Sequence, residues 1–336
     1  MINEIQRFIA QIAEGRHLSR EDAARAFQIV MLGAATPAQV ATLLTGLRMK
    51  GETVAEIAGA ALALRARMET VAVPAGTIDV CGTGGDGSGM LNVSTAVALV
   101  VAACGVPVAK HGNKSVSSRS GSADVLHALG VNIQAGREQA EASLAEAGIC
   151  FLFAPHYHKA MRHVAPVRTE LGLRTIFNLL GPLINPAQPS RQLMGVYDRS
   201  LLAPMAQVLR ELGGEQAWIV HGDGADELTL TGTSHVAELK DGVISLFEIT
   251  PEEAGLPRCA PGDLRGGDPD TNAREMRLML SGKPGPYRDV VLLNAAGALI
   301  VAQKAITLRE GVALAAAAID GGRALETLAA LVRLSQ

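Results

Sequence analysis

Apolar residues recur at helical spacing through the first part of the chain, with Ile5, Ile9 and Ile12 on one face. Ser19, followed by Asp22, has the form of a capping box and predicts a helix continuing to Leu32. Thr36-Pro37 places a proline in the first turn of a helix that runs to Met49 and stops at Gly51. Thr53 with Glu56 repeats the capping-box pattern ahead of a helix to about Met68. No strand pattern interrupts this region, so residues 1–70 read as a small all-helical domain. From Thr77 the pattern changes. Ile78–Cys81 is a short apolar strand that runs straight into a glycine-rich loop. A helix from about Ser94, a strand at Val106–Ala109, helices at Ala123–Leu129 and Glu138–Ala147 and a strand at Ile149–Phe153 follow. Trp218–His221 is another strand, and Thr229–Ile249 reads as a hairpin turning at Asp241-Gly242. Asn272–Leu280, Arg288–Gln303 and Leu308–Ile319 are helical. Such alternation predicts an α/β fold over 71–336, a mostly parallel sheet flanked by helices.

One stretch calls for a membrane test, because no charge lies between Asp86 and Lys110. It opens on Asn92, Ser94 and Thr95 and is broken by Gly105-Val106-Pro107, too short for a span of roughly twenty apolar residues. A buried helix leading into a buried strand is expected instead. Composition sharpens this. With 48% hydrophobic residues and a net charge of −3 in 336 residues, the chain can bury a core, and disorder is excluded. No basic excess favours a nucleic-acid partner. Cys81, Cys104, Cys150 and Cys259 are far apart, which excludes a zinc ribbon and suits reduced thiols. Residues 1–11 lack a signal-peptide core, so a cytoplasmic setting is expected.

Four segments carry candidate chemistry. Gly82-Thr83-Gly84-Gly85-Asp86-Gly87 puts four glycines after a strand, and Asn92-Val93-Ser94-Thr95 then starts a helix whose free N–H groups favour an anion. The pattern is neither GxGxxG nor a Walker loop; alone, it is equally a tight turn or a phosphate cradle. Lys110-His111-Gly112-Asn113-Lys114 through Ser122 packs three cations, five hydroxyls and two glycines after the next strand. In an open α/β sheet that end is where ligands bind. Asp226-Glu227, in a glycine-rich loop after Trp218–His221, is an acidic surface turn if taken alone. Opposite a phosphate site, the pair suits Mg²⁺. Arg168 lies in a largely apolar helical stretch, where a guanidinium is an ion-pair partner or a clamp for a substrate carboxylate. His156, His158 and His163 have no acid or cysteine at ligand spacing and read as structural. There is no nucleophile elbow, and Cys81 reads as a packed strand residue.

Taken together, GTGGD at Gly82–Asp86, NVST at Asn92–Thr95, KHGNKSVSS at Lys110–Ser118, FAP at Phe153–Pro155, FNLLGPLINP at Phe177–Pro186 and the Asp226-Glu227 pair resemble the anthranilate phosphoribosyltransferases. The helical opening, with Arg48-Met49-Lys50-Gly51-Glu52-Thr53, belongs to the same resemblance, which runs nearly end to end. It implies transfer of a 5-phosphoribosyl group from phosphoribosyl pyrophosphate (PRPP) to the amine of anthranilate, releasing pyrophosphate, in tryptophan biosynthesis. It implies a cleft between a helical domain, 1–70 joined by helices from about 160–190, and an α/β domain over 71–336, in a homodimer joined through the helical domain. By position, Gly82, Gly85, Asp86, Met90, Asn92, Val93, Ser94, Thr95, Lys110, His111, Gly112, Asn113, Lys114, Ser115, Val116, Ser117, Ser118 and Ser122 match the PRPP site. Gly82, Asn113 and Arg168 match anthranilate contacts, with His111, Pro155, His158 and Gly181 nearby. Ser94, Asp226 and Glu227 match Mg²⁺ contacts. Two positions depart from the pattern: Met90 stands where a hydroxyl residue is expected, and Lys114 where arginine is common.

An aromatic amine is neutral at pH 7, so no general base is expected. The demand is for charge stabilisation at the leaving pyrophosphate by the metal, the loop N–H groups and Lys110, Lys114 and Arg119. A pyrimidine nucleoside phosphorylase of the same fold is the nearest alternative, argued against by the acidic pair and NVST. A non-catalytic nucleic-acid-binding paralogue would need a basic face.

Overall fold

The computed structural model describes residues 4–114 and 119–336. Four helices open the chain: α1 (Glu4–Ala13), α2 (Arg20–Met31), α3 (Pro37–Lys50) and α4 (Val54–Arg65). Reciprocal capping boxes start α3 at Thr36/Gln39 and α4 at Thr53/Glu56. At α2 only half of the expected box forms. Ser19 Oγ accepts from the Asp22 N–H at 3.0 Å, but the Asp22 carboxylate turns to Arg7 instead.

Next come β1 (Ile78–Gly82), α5 (Val93–Ala103), β2 (Val108–Gly112), α6 (Ser122–Ala128), α7 (Arg137–Ala147) and β3 (Ile149–Phe153). A crossing limb follows, with short helices α8 (Ala154–Tyr157), α9 (Ala165–Leu171) and α10 (Phe177–Leu180). The chain returns through β4 (Arg191–Gly195), α11 (Leu202–Glu211), β5 (Gln216–Gly222), β6 (Ser234–Lys240) and β7 (Val243–Ile249). It then forms α12 (Pro269–Leu280), α13 (Pro286–Val301), α14 (Leu308–Asp320) and α15 (Arg323–Leu334). Among the described residues no helix is long and apolar enough to cross a membrane.

The seven strands form one sheet in the order β3-β2-β1-β4-β5-β6-β7. The β3 to β5 part is parallel, while β6 and β7 join antiparallel. Asp241 and Gly242, both at positive φ, make the predicted two-residue turn between β6 and β7. The β2 strand differs from expectation. It starts at Val108 and runs to Gly112 in register with Ile149–Phe153 of β3, because Pro107 has no N–H to give a ladder. Lys110 and His111 are therefore strand residues, not members of the exposed loop that follows.

Strand order reverses between β1 and β4, the position where an open α/β sheet leaves a crevice at its carboxyl ends. One sheet face packs under α5 and α12 to α15. The other shares a continuous core with α11, the limb residues Val164–Ile184, and Phe8, Phe27 and Leu44 of the opening helices.

Candidate active site

The glycine loop and the acidic pair meet at the strand-order switch. A side chain on Gly82 would strike the Asp226 carboxylate, and one on Gly195 at the end of β4 would strike the Asp226 backbone. These two glycines therefore let the acidic loop lie directly on β1 and β4. The Thr83 N–H donates to the Gly195 carbonyl (2.9 Å), and the Tyr197 N–H donates to Thr83 Oγ1 (3.1 Å). The Gly84 N–H donates to Asp226 Oδ2 (2.7 Å), and the Ser94 N–H at the start of α5 donates to Glu227 Oε1 (3.0 Å). Asp86 Oδ2 accepts from the Asp226 N–H at 3.4 Å.

These carboxylates keep some open surface, but their surroundings are protein. Burial, then the neighbouring Asp86, raises Asp226 to about 7. Burial, then Asp226, pushes Glu227 well above the usual carboxylate range, against the pull of Lys110. Crowded carboxylates of this kind suit a hard cation, with oxygen ligands completed by water and phosphate. Among the described residues no three His, Cys, Asp or Glu side chains converge as a closed metal cage. The donor set fits an ion that shares its ligands with a substrate. Thr95 Oγ1, one turn into α5, is buried without a hydrogen-bond partner in the described structure.

Lys110 is 3% exposed, and its Nζ donates to the Val80 carbonyl (2.7 Å) and to Ser94 Oγ (3.4 Å). Burial lowers its pKa, opposed chiefly by Asp79. Asp79 lies wholly inside, accepting from the His111 N–H (3.4 Å) and Asn185 Nδ2 (2.8 Å). Asn185 also donates to the Ala109 carbonyl (2.8 Å), tying the 181–187 turn to β1 and β2. His111 Nδ1 sits 3.2 Å from the Gly181 carbonyl, which can only accept, so Nδ1 carries the proton. His158 stacks edge-on against His111, with ring centroids 5.2 Å apart. Burial, then His158, holds His111 down at about 3, and burial holds His158 at about 4. Both rings are neutral at pH 7, and neither Nε2 has a partner in the described structure.

The remaining expected residues lie around this centre. Asn113 and Lys114 are exposed beyond β2, with Asn113 Oδ1 accepting the Lys114 N–H at 2.8 Å. Ser122 Oγ, at the start of α6, occupies the space a side chain on Gly112 would need. Arg119 is exposed, while Ser115, Val116, Ser117 and Ser118 lie outside the described residues. Met90 packs its side chain on the apolar core and pairs its backbone with Arg265, and its N–H donates to Ser88 Oγ at 3.4 Å. Asn92 Oδ1 accepts from Asn272 Nδ2 of α12 (2.9 Å), and its Nδ2 donates to the Ser120 carbonyl (3.1 Å). Pro155 is exposed at the start of the limb. The Arg168 guanidinium lies 5.2 Å over the Phe177 ring, desolvated enough to lower its pKa and without a carboxylate partner among the described residues.

Sequence patterns missed Asp79, Asn185, Asn272, Arg174 and Tyr197. The first two sit inside an apolar strand and a proline turn, and their meaning depends on distant partners. Arg174 lies 4.0 Å over the Tyr197 ring against the glycine loop.

Comparison with known proteins agrees with this fold. Residues 74–325 match the a/b domain of a glycosyl transferase family, and residues 6–68 match the helical bundle domain of that family. The chain is 57% identical to an anthranilate phosphoribosyltransferase of Parvibaculum lavamentivorans, over 98% of this chain and 97% of that protein. It is 56% identical to that of Rhodospirillum rubrum, over 99% and 96% of the two chains. Among solved structures, that from Thermus thermophilus superposes with a TM-score of 0.93 at 44% identity, covering 98% of this chain and 99% of the other. The Saccharomyces cerevisiae protein in complex with PRPP and Mg gives 0.91 at 28% identity, covering 98% and 97%. With identity above half over nearly its full length and a solved structure superposing at a TM-score of 0.93, this chain belongs to the anthranilate phosphoribosyltransferase family.

Proposed function

We propose that this chain transfers the 5-phosphoribosyl group of PRPP to the amine of anthranilate, giving N-(5-phosphoribosyl)anthranilate and pyrophosphate. The observation that carries the reading is the meeting, at one strand-order switch, of a glycine loop and a crowded acidic pair. Gly82, Gly85, Asp86, Asn92–Thr95, Gly112–Lys114 and Ser122 then face the donor. Ser115–Ser118, assigned to the same site, lie outside the described residues. Asp226, Glu227 and Ser94 would hold Mg²⁺, which when bound neutralises charge on the departing pyrophosphate. Arg168, stacked and without a carboxylate partner among the described residues, offers its guanidinium to the anthranilate carboxylate, with His111, Pro155, His158, Asn113 and Gly181 around the ring.

The aromatic amine attacks as the neutral base, and the C1–O bond to pyrophosphate breaks. The amine's excess proton is lost after attack, so no residue has to prepare the nucleophile. Lys110 keeps positive potential at the mouth of β1, while Lys114 and Arg119 are free to meet the leaving group from the exposed side. The site lies between the α/β body over 71–336 and the opening helices, residues 1–70, joined by the limb. Exposed Leu32 and Met49 on those helices suit burial in a homodimer, and a cytoplasmic setting suits four unpaired thiols.

The test follows anthranilate fluorescence with PRPP and Mg²⁺, with and without EDTA. Loss of signal requiring both protein and metal is expected. Replacing Asp226 and Glu227 by Asn and Gln should abolish Mg²⁺-dependent turnover, and Arg168→Ala should raise the anthranilate KM about tenfold or more with little change for PRPP. A signal unchanged in folded protein that binds PRPP would remove anthranilate as the acceptor. Normal metal dependence in the double variant would remove the metal assignment.

A further inference from the structure

Arg174 sits between α9 and α10, on the limb whose Ile176 and Phe177 belong to the same core as the opening helices. Its side chain leaves that limb and reaches the α/β body. The guanidinium carbon is 4.0 Å from the Tyr197 ring centroid, a close cation–π stack. On its other side it lies against the glycine loop: a Cβ built on Gly85 would stand 3.0 Å from Nη2 and 3.3 Å from Cζ. Gly85 itself has a φ of +74°, so the loop conformation disfavours a side chain there, and any side chain would press on the guanidinium. Tyr197 is anchored in turn, because its N–H donates to Thr83 Oγ1 within the same loop. No carboxylate pairs with Arg174 among the described residues. Its charge is thus held against an aromatic face, not by an acid, with the glycine loop packed on its other side.

We infer that Arg174 is a positioning residue that couples the two substrate sites, carrying the register of the Arg168 limb to the glycine loop through Tyr197 and Gly85. The inference rests on the assignment of that loop to PRPP and of Arg168 to anthranilate. Arg174 lies six positions after Arg168, and both guanidiniums lie over rings, Tyr197 and Phe177 respectively. A limb that shifts when the acceptor binds Arg168 must shift Arg174, and with it the loop that holds the donor. The reverse coupling follows by linkage: PRPP on the loop fixes Arg174 and preorganises Arg168.

The experiment uses the full chain and four variants: Arg174→Leu, Tyr197→Leu, Tyr197→Phe and the double Arg174→Leu/Tyr197→Leu. PRPP binding is read by calorimetry without anthranilate, and the KM and kcat for each substrate by fluorescence. Arg174→Leu and Tyr197→Leu should each weaken PRPP about tenfold, and the double variant should be no weaker than either single one. Tyr197→Phe, which keeps the ring, should stay within about twofold of the parent chain. Anthranilate affinity measured alone should hold in every variant, whereas its tightening by PRPP should vanish in the Leu variants. A merely structural role would shift melting temperature without that split. Additive effects in the double variant, or a Tyr197→Leu chain that behaves like the parent, would overturn the inference. Should Arg174→Leu fail to fold, the Tyr197→Leu and Tyr197→Phe pair decides alone. If the parent chain never consumes anthranilate, the acceptor assignment falls, while the calorimetric PRPP comparison still judges the Arg174–Tyr197–loop contact.

Discussion

His111 and His158 show how burial sets the chemistry of single residues. Each ring would titrate near 6.5 in an unfolded chain, yet in the fold they stay neutral down to about 3 and about 4. Between those values and 6.5 the unfolded state binds more protons than the native one. The two rings therefore leave stability unchanged above pH 6.5 and lower it steadily as pH falls from 6.5 toward about 4 for His158 and about 3 for His111. At about 1.4 kcal/mol per unit, the pair represents on the order of several kcal/mol. Asp79, Asp226 and Glu227, whose pKa values are raised, act in the opposite sense, so the comparison must be made against a variant. His158→Gln, melted beside the parent chain in EDTA, should gain relative stability steadily from pH 6.5 to 4.5. Parallel melting curves would mean that His158 is protonated in the native state. The sequence showed both histidines but not this property, because desolvation arises only when β2 and the 155–158 turn close on each other. Asp79 was invisible for the same reason: in the strand IDVCG it is an oddity, and Asn185 gives it a purpose from 106 positions away.

At the scale of elements, α12 acts on the donor site without facing it. Asn272 is 1% exposed. Its Nδ2 donates to Asn92 Oδ1 at 2.9 Å, and its Oδ1 accepts the Gly267 N–H at 2.7 Å. The strap of residues 264–267 held in this way bonds back to the segment after the glycine loop, with the Leu91 N–H on the Leu264 carbonyl and the Gly266 N–H on the Gly89 carbonyl. One side chain thus fixes both the strap and the start of α5. Asn272→Asp keeps the acceptor for Gly267 but sets a carboxylate against Asn92 Oδ1. It should weaken PRPP binding roughly fivefold or more and cost about 1–3 kcal/mol of stability. Asn272→Leu should cost more, since both bonds go. Equal losses in the two variants, seen by calorimetry and urea titration, would mean that only the bond to Asn92 matters. Elements with a local signature were legible: the capped α3 and α4, the β6–β7 turn, the glycine loop. The strand at the centre of the sheet was not. β4 reads RQLMG, and Gln192 breaks its apolar run, because its side chain serves the Pro182 carbonyl (2.8 Å) across the switch. The shift of β2 by two residues likewise hid Lys110 within the strand.

For the whole molecule, the decisive feature is that the opening helices and one face of the sheet have no separate cores. Met194, Ile219 and Ala237 of the sheet lie in one apolar cluster with Leu209 of α11, Phe177 of the limb and Ile57 of α4. Arg65 pins this junction, donating Nε to the Leu183 carbonyl (2.7 Å) and Nη1 to the Leu212 carbonyl (3.3 Å), and its burial lowers its pKa to about 10. Sequence periodicity drew a boundary near residue 70, where strands begin, and could not show that packing continues across it. The apolar stripe of a helix looks the same whether it faces another helix or a sheet. A shared core of this size predicts that the two parts unfold together. The single tryptophan, Trp218, is 5% exposed in β5 and reports the sheet, whereas far-UV circular dichroism is dominated by the helices. In urea the two signals should trace one transition with one midpoint. Arg65→Met removes the pin while keeping an apolar stem, and should lower that midpoint for both probes equally. If circular dichroism were lost first while Trp218 stayed buried, the helical opening would be an independently stable unit. Motion between it and the sheet would then cost far less than the continuous core implies.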